Sequence, residues 1–195
     1  MANYKISTGF LCTPLVLPAL SAMGKDRLAF RLLTETECPS WLYPVTMGAT
    51  TIWERWDSML PDGSINSGSM TSFNHYALGS VADWIHHKIG GIAPASPGYR
   101  SVVFAPIPGG GITSAHCELV APYGLVSCQW SRHGLDIDVE IQVAPNTTAT
   151  VILPGLSGEP IDVESGRHSW SYSITEDAAA KWTWIEPSQS WPGVG

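Results

Sequence analysis

The spacing of apolar residues changes once along the chain, and this change limits the folds that the chain can adopt. Residues 9–35 and 70–91 carry apolar side chains at three- and four-residue steps, which is typical of helices. After about Tyr99, apolar and polar residues alternate in short runs separated by glycine, proline and asparagine, which is typical of antiparallel strands. The sequence therefore predicts a two-part α+β chain, with a helical domain over residues 1–91 and a β-sandwich over residues 98–195.

The segment between the two parts, residues 90–98, contains two prolines and three glycines. Proline lacks the backbone donor that a helix needs, and glycine favours turns. We interpret this segment as a linker.

The first predicted helix, residues 10–23, is apolar around most of its circumference, so it must be buried. Gly24 ends it, and a second helix beginning at Asp26 completes a hairpin with a very short turn. A third helix is predicted to start at a Ser72 cap and to run to Ile89. Three helices alone cannot cover the first one. We expect either packing on the sandwich and on a second copy of the chain, or further helices of a larger array.

The second part predicts an antiparallel sandwich, because turn residues punctuate its short strands at regular spacing. The strands are expected near residues 101–105, 112–120, 125–131, 135–143 and 147–153, with a closing hairpin around residues 161–174.

Charge and cysteine content exclude several partners. The net charge is -7 and no basic stripe is present, so a nucleic-acid partner is not expected. No apolar run reaches membrane-spanning length and no signal peptide is visible, which favours a soluble, cytoplasmic protein. The four cysteines lack the close pairs of a metal site. Cys117 and Cys128 could face each other on adjacent strands, so a disulfide between them stays open.

The segment of residues 50–57 holds the clearest chemistry. Glu54, Asp57 and Arg55 lie among tryptophan side chains in the long connection of residues 36–71. Burying an unpaired carboxylate is costly, so Glu54 must pair with Arg55 or another cation, or be kept for a task such as proton abstraction. Aromatic rings with carboxylates suit a carbohydrate site, although the residues taken alone favour core packing of the tryptophans over that reading.

His75, expected in the first turn of the third helix, could meet a polar ligand or simply cap the helix. The chain contains no phosphate-binding loop, no serine-hydrolase elbow and no zinc-protease helix. No fingerprint of a cofactor is present, so none is expected.

Three stretches, residues 8–15, 43–57 and 72–80, together make the chain recognisable. It resembles the bacterial-type α-L-rhamnosidases of glycoside hydrolase family 78 over nearly its whole length, more weakly after about residue 155. The resemblance implies the last helical hairpins of a six-hairpin (α/α)6 toroid followed by the family's C-terminal β-sandwich. Earlier helices of the toroid would then cover the apolar helix.

The resemblance also implies an inverting hydrolysis of terminal α-L-rhamnosyl groups. By motif match Glu54 is the general base and His75 contacts the rhamnose, with Trp53, Trp56 and Tyr43 as candidates for the pocket wall. The family's general acid lies upstream of this chain. We therefore expect the chain alone to turn over little substrate, since Asp57 or Glu37 could replace that acid only by coincidence. The alternative is a non-catalytic carbohydrate-binding or interaction module built from the sandwich.

Overall fold

The computed structural model describes residues 4–183, which form two compact units. The first unit extends to Ala82, and the second covers residues from Asp83 to Thr183. Helices dominate the first unit and strands the second, so the predicted α+β organisation is confirmed.

The first unit is built on a helical hairpin of α1 (Thr13–Ala22) and α2 (Asp26–Leu33). Gly24 makes the turn with φ of 66°, a left-handed conformation that glycine adopts without strain. The last five residues of α2 are all buried. The hairpin and its short turn are confirmed.

The surface of α1 is largely apolar and uncovered. Only Thr13 and Leu17 are buried, whereas Leu11 just before the helix, Leu15 within it and Met23 just after it are 89%, 63% and 70% exposed. Within residues 4–82, the structure thus leaves uncovered much of the apolar surface that the composition of this helix would bury.

The third helix begins later than predicted. Residues 72–76 are irregular, and the chain becomes helical in a 3₁₀ turn (Ala77–Ser80), followed by α3 (Val81–Trp84) and a π-helical turn (Ile85–Ile89). The prediction of a cap at Ser72 is wrong, because no helix follows it directly and its hydroxyl accepts from the Asn74 amide within the irregular segment. The long connection before it contains one short helical turn, Leu42–Thr46, and a bridge between Met59 and Ile65.

The second unit contains two four-stranded sheets, ordered β1-β2-β6-β7 and β3-β4-β5-β8, and a final short helix, α4 (Glu176–Ala180). Alternate residues of the central strands are buried, as in a sandwich core. The strands are β1 (Ile92–Pro94), β2 (Ser101–Phe104), β3 (Ser114–Ala121), β4 (Gly124–His133), β5 (Asp136–Val143), β6 (Thr148–Val151), β7 (Ile161–Val163) and β8 (Gly166–Ser173).

Three details of the sandwich differ from the sequence prediction. The expected linker contains β1, in which Ile92 is fully buried and pairs with Phe104. The closing hairpin is wrong, because β7 pairs with β6 and β8 pairs with β5 in the other sheet. The pairing of β2 with β6 is parallel.

Cys117 and Cys128 lie directly opposite each other on β3 and β4, and both thiols are free. The Cys117 sulfur is 3.0 Å from Nδ1 of His86. Within residues 4–183 the structure groups no three His, Cys, Asp or Glu residues suited to a metal ion. No helix in the same range has the length and apolar character needed to cross a membrane.

Candidate active site

Two separate segments of the first unit are bonded side by side. The amide of His75 donates to the carbonyl of Ile52 at 2.8 Å, and the amide of Glu54 donates to the carbonyl of Ser72 at 2.9 Å. These bonds satisfy backbone groups that would otherwise be left unpaired in an irregular region. They also place Glu54 and His75, which are far apart in sequence, next to each other.

The two carboxylate oxygens of Glu54 have different surroundings. Oε2 accepts a hydrogen bond from the amide of Ser72 at 3.0 Å. Oε1 faces Nε2 of His75 at 3.9 Å, a separation longer than a hydrogen bond. The Glu54 and His75 side chains are 15% and 22% exposed, so the pair is sheltered but open to solvent. One oxygen of the carboxylate is thus fixed and the other is available.

Arg55 does not pair with Glu54. Its Nε and Nη2 atoms donate to the two oxygens of Asp57 at 3.1 and 3.4 Å, and its Nη1 donates to the Ser69 carbonyl at 3.3 Å. Asn66 donates to the same Asp57 carboxylate at 2.9 Å. The guanidinium of Arg55 therefore binds within the loop that follows it, at Asp57 and Ser69. Among residues 4–183, His75 is the one ion-pair partner found for Glu54.

The ring of His75 is held from several directions. Its Nδ1 accepts a hydrogen bond from the Ala77 amide at 3.2 Å, so in the neutral imidazole the proton lies on Nε2. The ring also stacks on Phe10 and Tyr76, with centroid distances of 5.1 and 5.0 Å and interplanar angles of 21° and 17°. His75 precedes the helix rather than lying in its first turn, which corrects the sequence prediction.

The three aromatic residues proposed for the pocket wall are placed differently from one another. Trp53 is 4% exposed and packs its edge against Phe73. Trp56 packs its edge against Trp41. Tyr43 is 6% exposed and its hydroxyl donates to a backbone carbonyl, so burial raises the pKa of this phenol.

A small apolar cavity lies beside these tryptophans. It offers about 50 Å³ to water-sized molecules, and its walls include Trp41, Trp53, Trp56 and Val45. Neither Glu54 nor His75 lines it, and neither does Tyr43. The aromatic cluster therefore supports the segment that carries Glu54 and does not by itself form a sugar-sized pocket around the carboxylate.

Neither of the two carboxylates considered as replacement acids is free. Asp57 is held by Arg55 and Asn66. Glu37 is an exposed residue whose carboxylate forms an ion pair with Lys5 at 2.8 Å.

The sequence pattern does not mark Phe10 and Tyr76 as site residues. Apolar spacing predicts Phe10 in the first helix, but it lies before α1 and contacts His75. Tyr76 directly follows His75 and is 86% exposed. The adjacency of Tyr76 to a candidate histidine was the available signal, whereas nothing in the local pattern connects Phe10 to it.

Comparison with known proteins agrees with this architecture. Residues 1–89 match the model of the bacterial α-L-rhamnosidase six-hairpin glycosidase domain, and residues 91–168 match that of the bacterial α-L-rhamnosidase C-terminal domain. The first match identifies the helical part as belonging to a six-hairpin glycosidase domain. Both matches, with the relatives below, show that the chain belongs to the bacterial α-L-rhamnosidase family.

Curated relatives and solved structures carry the same family name. The chain is 47% identical to an α-L-rhamnosidase of Streptomyces avermitilis over 78% of this chain and 15% of that protein, and 40% identical to one of Formosa agariphila over 84% and 18%. The structure of native α-L-rhamnosidase from Aspergillus terreus superimposes with a TM-score of 0.84 at 50% identity over 87% of this chain and 20% of that one. The Streptomyces avermitilis enzyme complexed with L-rhamnose gives a TM-score of 0.83 at 41% identity over 87% and 18%. The chain thus spans a fifth or less of each of these proteins.

Proposed function

We propose that this chain supplies the base-bearing end of an inverting α-L-rhamnosidase active site. Glu54 acts as the general base and His75 beside it binds the sugar. The substrate is a glycoside with a terminal α-L-rhamnosyl group, consistent with the L-rhamnose complex of the Streptomyces avermitilis relative. The observation that carries the proposal is the sheltered Glu54 carboxylate, with one oxygen fixed by an amide and the other free toward His75.

The geometry of Glu54 suits proton abstraction from water. The hydrogen bond from the Ser72 amide holds Oε2, whereas Oε1 has no hydrogen-bond partner among residues 4–183 and can accept a proton from water. Because Arg55 is paired with Asp57, its guanidinium does not compete for that oxygen. A base in an inverting glycosidase needs this freedom, since it must take a proton from the water that attacks the anomeric carbon.

The general acid is proposed to come from outside this chain. In inverting glycosidases the acid and the base lie about 6.5 to 9.5 Å apart, on opposite faces of the sugar. Asp57 and Glu37 are both engaged in ion pairs. The acid and most of the pocket would then belong to the part of the toroid that the chain does not include.

The exposed apolar surface around α1 supports the same proposal. Leu11, Leu15 and Met23 would be covered by preceding helices of the toroid. Without those helices, self-association through this surface is the expected alternative, and sedimentation velocity of the chain alone measures it.

The exposed face shared by β5 and β8 does not favour the alternative of a carbohydrate-binding sandwich. The exposed face shared by β5 and β8 carries carboxylates paired with serines, such as Asp138 with Ser171 and Asp136 with Ser173. Among the described residues of these two strands, no aromatic side chain lies on that face to stack on a sugar ring.

The test compares two proteins on p-nitrophenyl α-L-rhamnoside. One is this chain alone, and the other is the Streptomyces avermitilis relative with its matching segment replaced by this chain. We expect a negligible rate from the first and turnover from the second, with the β-anomer of rhamnose released first in an NMR time course. Glu54→Gln in the hybrid should lower kcat by at least about 10²-fold, because general base catalysis contributes that much.

Glu37→Gln is the matched control, since it removes the same charge from an exposed pair. A hybrid that keeps near-normal turnover with Glu54→Gln would refute the assignment of the base. A robust rate from the chain alone would refute the missing acid, and retention of anomeric configuration would refute inversion.

A further inference from the structure

The position of the imidazole of His75 relative to Glu54 needs a physical cause. A neutral imidazole this near a carboxylate would normally rotate to form a direct hydrogen bond, which requires a separation of about 2.8 to 3.0 Å. In the structure Nε2 stays 3.9 Å from Oε1. Something other than Glu54 therefore determines where the ring lies.

The contacts of His75 identify that cause. The Ala77 amide holds Nδ1, which fixes the neutral tautomer with its proton on Nε2. Phe10 and Tyr76 stack nearly parallel to the ring, so they fix its plane. Stacked aromatic pairs of this kind contribute beyond their buried area, and two of them resist rotation of the imidazole.

We propose that Phe10 and Tyr76 are positioning residues, which hold the Nε2–H of His75 at a distance from Glu54 that one oxygen atom can bridge. The role in catalysis rests on the proposed function, whereas the orientation of the ring does not. An oxygen located between the two groups can accept from Nε2–H and donate to Oε1, each at ordinary hydrogen-bond length, across 3.9 Å.

The bridged group is a hydroxyl-bearing oxygen, either a sugar hydroxyl or the water that Glu54 activates. A direct hydrogen bond from His75 to Glu54 would occupy the Oε1 lone pair that must accept from the sugar hydroxyl or from the water. Stacking thus keeps Oε1 unoccupied until substrate arrives.

The orientation is tested first, in this chain, without any sugar. Long-range ¹H–¹⁵N spectra of ¹⁵N-histidine-labelled protein at alkaline pH report which ring nitrogen carries the proton, and His75→Gln assigns the signal. We expect His75 to be the Nε2–H tautomer. Phe10→Leu, which removes the ring but keeps apolar bulk, should give a mixture of tautomers, and Phe10→Tyr should restore the original spectrum.

Two further variants keep this test decisive. Tyr76→Leu changes a side chain that is 86% exposed, so it should leave the fold intact while also loosening the ring. Leu11→Ala alters the residue next to Phe10, which is 89% exposed, and should leave the His75 signal unchanged. An Nδ1–H signal in the unsubstituted chain, or an unaltered His75 signal in both Phe10→Leu and Tyr76→Leu, would overturn the proposal.

The catalytic consequence is measured in the hybrid enzyme. Phe10→Leu should lower kcat/KM by about 10- to 100-fold, because misplacement of a site group by about 1 Å has effects of that size. A fall in kcat at constant KM identifies the bridged oxygen as the attacking water, and a rise in KM at constant kcat identifies a sugar hydroxyl. Unchanged kinetics would overturn the catalytic role of the stack. Glu54→Gln separates this result from a failure of the proposed function, since it tests the base without altering the stack.

Discussion

Replacing Glu35 by glutamine should destabilise the helical unit strongly, because Glu35 is the acceptor for a buried guanidinium. Arg31 on α2 and Glu35, two residues beyond the end of that helix, form an i,i+4 ion pair, and their side chains are 1% and 6% exposed. Nη2 of Arg31 donates to Glu35, while its Nε and Nη1 find no hydrogen-bond partner in the part of the chain that the structure describes. The other oxygen of Glu35 accepts from the amides of Thr36 and Glu37, both at 2.9 Å.

The size of the effect follows from burial. Removing one partner of a buried ion pair costs about 3 to 5 kcal/mol, because it leaves an uncompensated charge. Glutamine keeps one acceptor, so we expect Glu35→Gln to lie at the lower end, about 3 kcal/mol. This is a large part of the roughly 5 to 15 kcal/mol that stabilises an ordinary domain. The double variant Arg31→Met/Glu35→Leu removes both charges and should recover part of the loss, since the Thr36 and Glu37 amides still lose their acceptor.

The effect should depend on pH with a definite sign. Burial acts to raise the pKa of Glu35, but hydrogen bonds from the Glu37 amide and from Arg31 outweigh it and hold the pKa below its ordinary value of 4.5. A depressed carboxyl pKa stabilises the folded state above that value, and the stabilisation is lost as the pH falls toward the folded-state pKa. The difference between the unsubstituted chain and Glu35→Gln should thus be constant near neutral pH and shrink below pH 4.5.

Urea unfolding followed by tryptophan fluorescence measures these differences at pH 7 and through the acid range. Glu37→Gln, which removes a carboxylate from an exposed pair with Lys5, is the control and should change the midpoint little. A Glu35→Gln midpoint equal to that of the control, or a difference that grows as the pH falls, would refute this account of the pair.

Three other perturbations have expected outcomes. Leu17→Ala should cost about 2 to 5 kcal/mol in urea unfolding because Leu17 is 1% exposed, whereas Leu15→Ala, at 63% exposure, should cost little; equal losses would contradict the packing of α1. Gly90→Ala should lower the thermal midpoint, because the added methyl would lie 2.6 Å from a helix carbonyl oxygen and 2.7 Å from a cysteine side chain; an unchanged midpoint would show that these neighbours yield. Burial raises the pKa of the Cys128 thiol to about 12, so iodoacetamide at pH 8 should label exposed Cys12 well before Cys128 by mass spectrometry, and the reverse order would contradict the burial.

The elements best predicted from the sequence are those in which the spacing of apolar residues indicates which side chains are buried. The central strands β4 and β5 alternate buried and exposed residues, and this two-residue period was visible in the chain. The α1–α2 hairpin was predicted because Gly24 interrupts the helical spacing. The pairing of strands within the sheets was not predicted, because the alternation of apolar and polar residues identifies a strand but not the strand beside it. The predicted hairpin of residues 161–174 is therefore wrong, because β7 and β8 belong to different sheets.

Two kinds of sequence information point to the candidate site. An energetic argument singled out Glu54 as a carboxylate that needs a partner or a task, but the role of base came from the family resemblance. The backbone bonds that bring His75 beside Glu54 connect distant segments, and no local pattern encodes them. Ser72 does not cap a helix because residues 72–76 are not helical, and its hydroxyl accepts from the nearby Asn74 amide instead.

The loop of residues 55–71 has internal contacts of its own, in addition to its contacts with Tyr43 and Trp41. Arg55 and Asn66 both donate hydrogen bonds to Asp57, and Met59 forms a β-bridge with Ile65. The conformation of the loop thus does not depend on the Glu54–His75 pair. The hydrogen bonds that align that pair lie just outside both ends of the loop. We therefore expect that a loop of different length and character can replace residues 55–71 without disturbing the alignment of Glu54 and His75. Such exchange offers a way to redesign the surface near the site while the spacing of the base and the imidazole stays constant.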